Sequence, residues 1–157
     1  MNQVYKELIS LVPSIVIAII TAVVTVRLSL KQFYSQKWWE KKIEVNTKII
    51  ESLAIMQHYM GLWFDELIGL NSFNEETNQK FATDYHKHRH YIIEVSNQGA
   101  FIISNEIAIE LEMLIKVLSQ GEHDLIADYD NTYSAIKKSI EKIRNMAKKD
   151  LKIRNNK

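Results

Sequence analysis

The chain has 157 residues, a quarter of them charged, with a net charge of +1 and no cysteine. The length suits one domain with a small appendage, and the balanced charge argues against a polyanion-binding protein; missing thiols exclude disulfide frameworks, cysteine-ligated zinc and cysteine nucleophiles. Four Gly and one Pro, among abundant Leu, Ile, Lys, Glu and Asn, suit an all-α chain with few hairpin turns.

The first predicted element is LISLVPSIVIAIITAVVTV, residues 8–26, nineteen positions without a charge. As a helix it would span about 28 Å, close to the roughly 30 Å hydrocarbon core of a bilayer. Ile, Val, Leu and Ala point in every direction, whereas a core helix of a soluble domain keeps a polar face. The run is longer than the h-region of a signal peptide, and no A-x-A-like cleavage site follows it. These features predict a retained single span, residues 1–30. Pro13 would kink it or mark its first turn. Ser10, Ser14, Ala18 and Ala22 repeat every four residues. Small side chains at that spacing permit close contact between spans, but Ser and Ala are also simply tolerated in lipid, and both readings stand.

RLSLKQFYSQKWWEKK, residues 27–42, follows directly and places five Lys/Arg and four aromatics in sixteen positions. Arg27, Lys31, Lys37, Lys41 and Lys42 outnumber Lys6 and the terminal amine on the other flank. The positive-inside rule therefore predicts an outer N-terminus and a cytoplasmic body. Phe33, Tyr34, Trp38 and Trp39 suit the headgroup level, where rings keep apolar bodies dry and polar edges wet. Basic and aromatic residues also line nucleic-acid sites, but beside an apolar span membrane lipid is the expected partner and nucleic acid is not.

Residues 31–157 are predicted to form an antiparallel cytoplasmic bundle of about four helices. Trp39, Ile43, Ile50, Leu53, Met60, Phe64 and Leu67 follow a three-four spacing, with Ile49, Met56 and Trp63 alongside; Asn46 and Gln57 fill the gaps. Nothing breaks the chain between the span and this helix. NSFNEETNQK, residues 71–80, reads as a loop running into the next helix. That helix carries Phe81, Tyr85, His88, Ile92 and Val95 and ends near Gly99. The next, capped by Ser104 or Asn105, carries Ile107, Leu111, Leu114, Ile115 and Leu118 and closes at Gly121. The last carries Tyr129, Tyr133, Ile136, Ile140, Ile143 and Ala147, with a basic tail that frays.

Chemistry-bearing motifs are sparse. In DYHKHRH, residues 84–90, His86 and His90 have a helical metal-ligand spacing, but no Glu lies between them and no third ligand is near in sequence. A solvated polar face with His88 partly tucked into the core is the expectation. No Arg is followed by His at the spacing of helical-bundle ribonucleases, and Walker A, G-x-S-x-G, H-E-x-x-H and EF-hand patterns are absent. Glu110 and Glu112 read as ordinary helix-face charges. No enzyme activity, cofactor or metal is expected.

FYSQKWWEKKIEVNTKIIESL, residues 33–53, and NQGAFIISNEIAIELEMLI, residues 97–115, resemble segments of a group of small uncharacterised bacterial single-span membrane proteins with an F-Y-x-x-K-W-W-E-K-K motif after an N-terminal anchor. The resemblance covers about a quarter of the chain and implies a bacterial inner-membrane protein with a helical cytoplasmic body. It brings no catalytic residues. The expected function is a membrane-tethered module that binds a protein partner or itself as a homo-oligomer. The alternative is a membrane-damaging effector in phage defence, assembled through the Ser10–Ala22 stripe.

Overall fold

The computed structural model describes residues 2–98, 101–120 and 125–152, with side chains from 13–98, 101–120 and 126–150. Four α-helices follow one another: α1 (Asn2–Leu67), α2 (Glu75–Gln98), α3 (Asn105–Val117) and α4 (Leu125–Lys152). No strand occurs among the described residues. The chain divides into two compact units, Met1–Lys41 and Lys42–Lys157.

α1 runs unbroken through the apolar stretch and the following amphipathic stretch, with Pro13 inside it. Pro13 therefore does not mark a first turn. α1 stops by a glycine device. Gly69 adopts φ +78°, its N–H donates to the Glu66 carbonyl at 3.1 Å, and the Leu70 N–H donates to the Asp65 carbonyl at 2.8 Å. This pairing satisfies carbonyls that the last turn leaves without partners, and only Gly takes a positive φ there without a Cβ penalty.

The predicted loop at 71–80 is shorter than expected, because α2 starts at Glu75. The Asn74 Oδ1 accepts the Thr77 N–H at 2.8 Å, an N-cap, and Glu75 and Glu76 place negative charge at the positive pole of the helix. α2 then returns along α1. Asn78 meets Glu66 at 3.0 Å, Asp84 meets Tyr59 at 2.9 Å, His88 meets Ser52 at 3.1 Å, and Lys48 lies 4.7 Å from the Tyr91 ring centre. The numbers fall in α2 as they rise in α1, so this pair is antiparallel.

Ser104 occupies the N-cap of α3 with extended backbone, but its hydroxyl makes no capping bond. α3 turns out of helix at Leu118, whose N–H donates to the Leu114 carbonyl at 2.9 Å. The predicted closure at Gly121 lies outside the described residues, as do Gly99 and the tail beyond Lys152.

The core of the second unit joins all four helices. It contains Ile49, Leu53 and Met56 of α1, Ile92 of α2, Ile107 and Leu111 of α3, and Ile136 and Ile143 of α4, all fully buried. The α1 stripe is rotated from the expected one. Val45, Asn46, Ile49, Ser52, Leu53, Met56 and Met60 are buried, whereas Trp39, Ile43, Ile50 and Phe64 are half-buried. Leu67 is 40% exposed, in the turn where the chain leaves the helix. Apolar periodicity spans a wide face, and the neighbouring helices determine which part of it is covered.

Candidate membrane-facing segment

Every side chain from Pro13 to Trp38 is exposed, including Ile15, Ile17, Ile19, Ile20, Val23 and Val24. The stretch is one long apolar N-terminal helix and a candidate membrane span by length and composition. A buried core helix would pass the same composition test, but nothing in the described chain covers this one. Ser14, Ala18 and Ala22 lie along one side and are exposed; Ser10 is on α1 with its side chain outside the description.

At 100° per residue, Arg27, Lys31, Tyr34, Trp38, Lys41 and Lys42 fall within about a third of the helix circumference. Two aromatic rings, Tyr34 and Trp38, are thus flanked along one face by Arg27 and Lys31 before them and Lys41 and Lys42 after them. Arg27, Lys31 and Lys41 are exposed, Tyr34 is 67% exposed, and Lys42 is half-buried. Phe33 meets Tyr34 edge-on with ring centres 5.9 Å apart, and Lys37 lies 5.9 Å from the Phe33 ring centre. Lys37 also donates to Glu40 at 2.8 Å, as does Gln36 at 3.0 Å. The Lys37 bond, helped by Gln36, holds the Glu40 carboxyl below the usual range. Trp39 is half-buried. Of the nine interface residues expected from sequence, six share this face, and Phe33, Lys37 and Trp39 lie off it.

The histidines do not converge. His86 and His90 are exposed, and His88 is half-buried with its Nδ1 3.1 Å from the Ser52 hydroxyl. The His88 Nε2 lies 3.8 Å from Asp84, which accepts the Tyr59 hydroxyl. Among the described residues no three His, Asp or Glu side chains form a metal-holding group. The resulting Ser52–His88–Asp84–Tyr59 chain ties α1 to α2. Burial, and next the bond to Asp84, raise the Tyr59 hydroxyl above its ordinary pKa. Ser52 is buried.

One charge reading needs correction. Glu110 is 4% exposed and is not a helix-face charge. It accepts from the Ser139 hydroxyl at 2.8 Å and from the Lys142 ammonium at 2.9 Å, both on α4. Its local sequence carries no sign of this, because both donors come from another helix; Glu112 is exposed. Comparison of the chain with protein-family models, with curated proteins and with solved structures gave no match.

Proposed function

We propose that this chain is a single-span membrane tether whose C-terminal helices form an antiparallel bundle on the cytoplasmic side. In this reading the bundle is an interaction module that binds a protein partner, or a second copy, close to the leaflet. One observation carries it: α1 exposes an unbroken apolar surface from Pro13 onward and then a cation–aromatic face from Arg27 to Lys42. In water that surface would be costly, at roughly 25 cal/mol per Å² of apolar area. In a bilayer it is matched, and the basic and aromatic residues fall where headgroups lie. The resemblance to bacterial single-span proteins supports placing the chain in the inner membrane.

A second reading, a membrane-damaging effector, is supported by the exposed Ser14, Ala18 and Ala22, which permit spans to approach closely. Expression toxicity separates the two: a tether is tolerated, and an effector depolarises the cell.

The topology has a direct test. A reporter fused at Lys157 should report the cytoplasm, and the protein should stay with membranes through alkaline carbonate extraction. Periplasmic alkaline phosphatase activity from that fusion would reverse the orientation. Replacing Lys31, Lys37, Lys41 and Lys42 together should scramble it.

A further inference from the structure

α4 is divided by charge. Residues 125–136 include Asp128 and Asp130 and no basic residue, whereas residues 137–152 include Lys137, Lys138, Lys142, Arg144, Lys148, Lys149 and Lys152 against Glu141 and Asp150. The helix macrodipole favours this order, but its influence is confined to about one turn at each end. Lys137 and Lys138 lie about four turns before the end of α4. Lys142 is engaged by Glu110. Arg144, Lys148 and Lys149 are exposed, and none of them pairs with a carboxylate among the described residues.

Their place in the second unit gives this charge a direction. α4 begins beside the C-terminal end of α1: Tyr133 lies 3.7 Å from the position of a Cβ on Gly61, and Glu66 lies within electrostatic reach of Tyr129. From Tyr133, the stretch from Arg144 to Lys149 is about 17–24 Å further along α4. The same rise counted back along α1 from Gly61 reaches residues 50 to 45. The basic face therefore lies toward the end of the unit at which the chain enters it, residue 42. The opposite end carries Asp65, Glu66, Glu75 and Glu76. The dipole of α2 favours Glu75 and Glu76, but Asp65 and Glu66 sit at the negative pole of α1, where the dipole does not explain them. Glu44 and Glu94 also lie toward the entry end, but they act on Tyr91, between α1 and α2.

We infer that the Arg144–Lys148–Lys149 face of α4 docks on anionic lipid headgroups of the leaflet from which the span emerges, while the acidic end is held off that leaflet by its own charge. This rests on the membrane-tether reading. Reach permits it: in the sequence the second unit begins eleven positions after Lys31, so the tether keeps it close to the leaflet. A basic helix face also suits a nucleic-acid backbone, but lipid is the polyanionic surface that the tether already brings within reach.

The cysteine-free chain allows single reporters. Full-length Asn145→Cys and Asp130→Cys, each carrying one fluorophore, are placed in nanodiscs whose headgroups bear a quencher. The discs contain phosphatidylcholine alone or mixed with phosphatidylserine. Quenching at 145 should be at least twofold greater with phosphatidylserine. The difference should vanish near 1 M salt, where the Debye length is about 3 Å. It should also vanish in Arg144→Glu/Lys148→Glu/Lys149→Glu with an unchanged circular dichroism spectrum, and the label at 130 should stay unquenched throughout. Equal quenching at 145 in both lipids, or equal quenching at 130 and 145, overturns the docking. So does loss of the difference on adding stoichiometric single-stranded RNA, which would reassign the face to nucleic acid. A chain that incorporates into discs but fails these criteria leaves the tether intact; one that does not incorporate overturns tether and docking together.

Discussion

The Glu110 carboxylate accepts from both Ser139 and Lys142, so α3 and α4 meet through a charge that is buried on one side and half solvated on the other. Lys142→Met keeps the aliphatic stem but leaves Glu110 with the Ser139 hydroxyl alone. The expected loss is about 1–3 kcal/mol in chemical denaturation, the usual cost of an undersatisfied buried group. Glu110→Gln should cost less, because a neutral amide still accepts from Ser139. Tyr85 gives a pH dependence. Burial raises its hydroxyl above the ordinary tyrosine pKa of about 10. The folded state thus holds the proton more tightly than the unfolded chain does. Its contribution is complete below about pH 10 and is lost as pH rises through the folded pKa. Tyr85→Phe keeps the ring against Trp63, 5.3 Å between centres, and should make the thermal midpoint fall less steeply above pH 10. An unchanged slope would place the alkaline sensitivity in Tyr59, Tyr91 and Tyr129, whose hydroxyls are raised chiefly by burial too.

At the scale of the element, α1 is one helix with two kinds of surface. From Pro13 to Val26 it is uncharged all round and uncovered; from Val45 it buries one side and exposes Thr47, Lys48, Glu51 and Ala54 on others. Within lipid, tails are as apolar as the side chains, so attraction between spans comes from close packing and polar contacts. Ser14 and Ala18 leave a shallow groove for that packing. Ser14→Leu/Ala18→Leu should fill it while preserving insertion, because Leu is favourable in the bilayer. Crosslinking between spans is expected to fall with no loss of membrane recovery. A wild-type span that already shows no association in a transmembrane two-hybrid assay would make the stripe incidental and leave any oligomer to the second unit.

At the scale of the whole molecule, folding of the second unit depends on apolar residues from all four helices meeting in one cluster. Leu53 is fully buried at its centre, and Leu53→Ala should cost about 2–5 kcal/mol by the methyl groups removed and the cavity left. His86→Ala, on an exposed position, should shift stability by less than about 0.5 kcal/mol. Comparable losses from both, measured by urea denaturation in detergent, would mean that His86 packs against something the isolated chain does not display.

Some of this molecule follows from local chemistry alone. The uncharged run at 8–26 excludes a polar face, the basic and aromatic residues after it are adjacent in sequence, and the α4 apolar series Ile136, Ile140, Ile143 and Ala147 repeats at the helical period and is buried as expected. Gly69 is different: its residue type permits a positive φ, but the structure shows that α1 ends there, with Leu67 left exposed in its last turn. Tertiary structure alone decided the rest. Ser52 and His88 are 36 positions apart and Glu110 and Ser139 are 29 apart, so no periodicity within one helix can announce either pair. The same holds for the shift of the α1 stripe toward Asn46, Ile49 and Ser52. An amphipathic pattern states that a wide face is apolar, but only the neighbouring helices determine which line of that face loses its water.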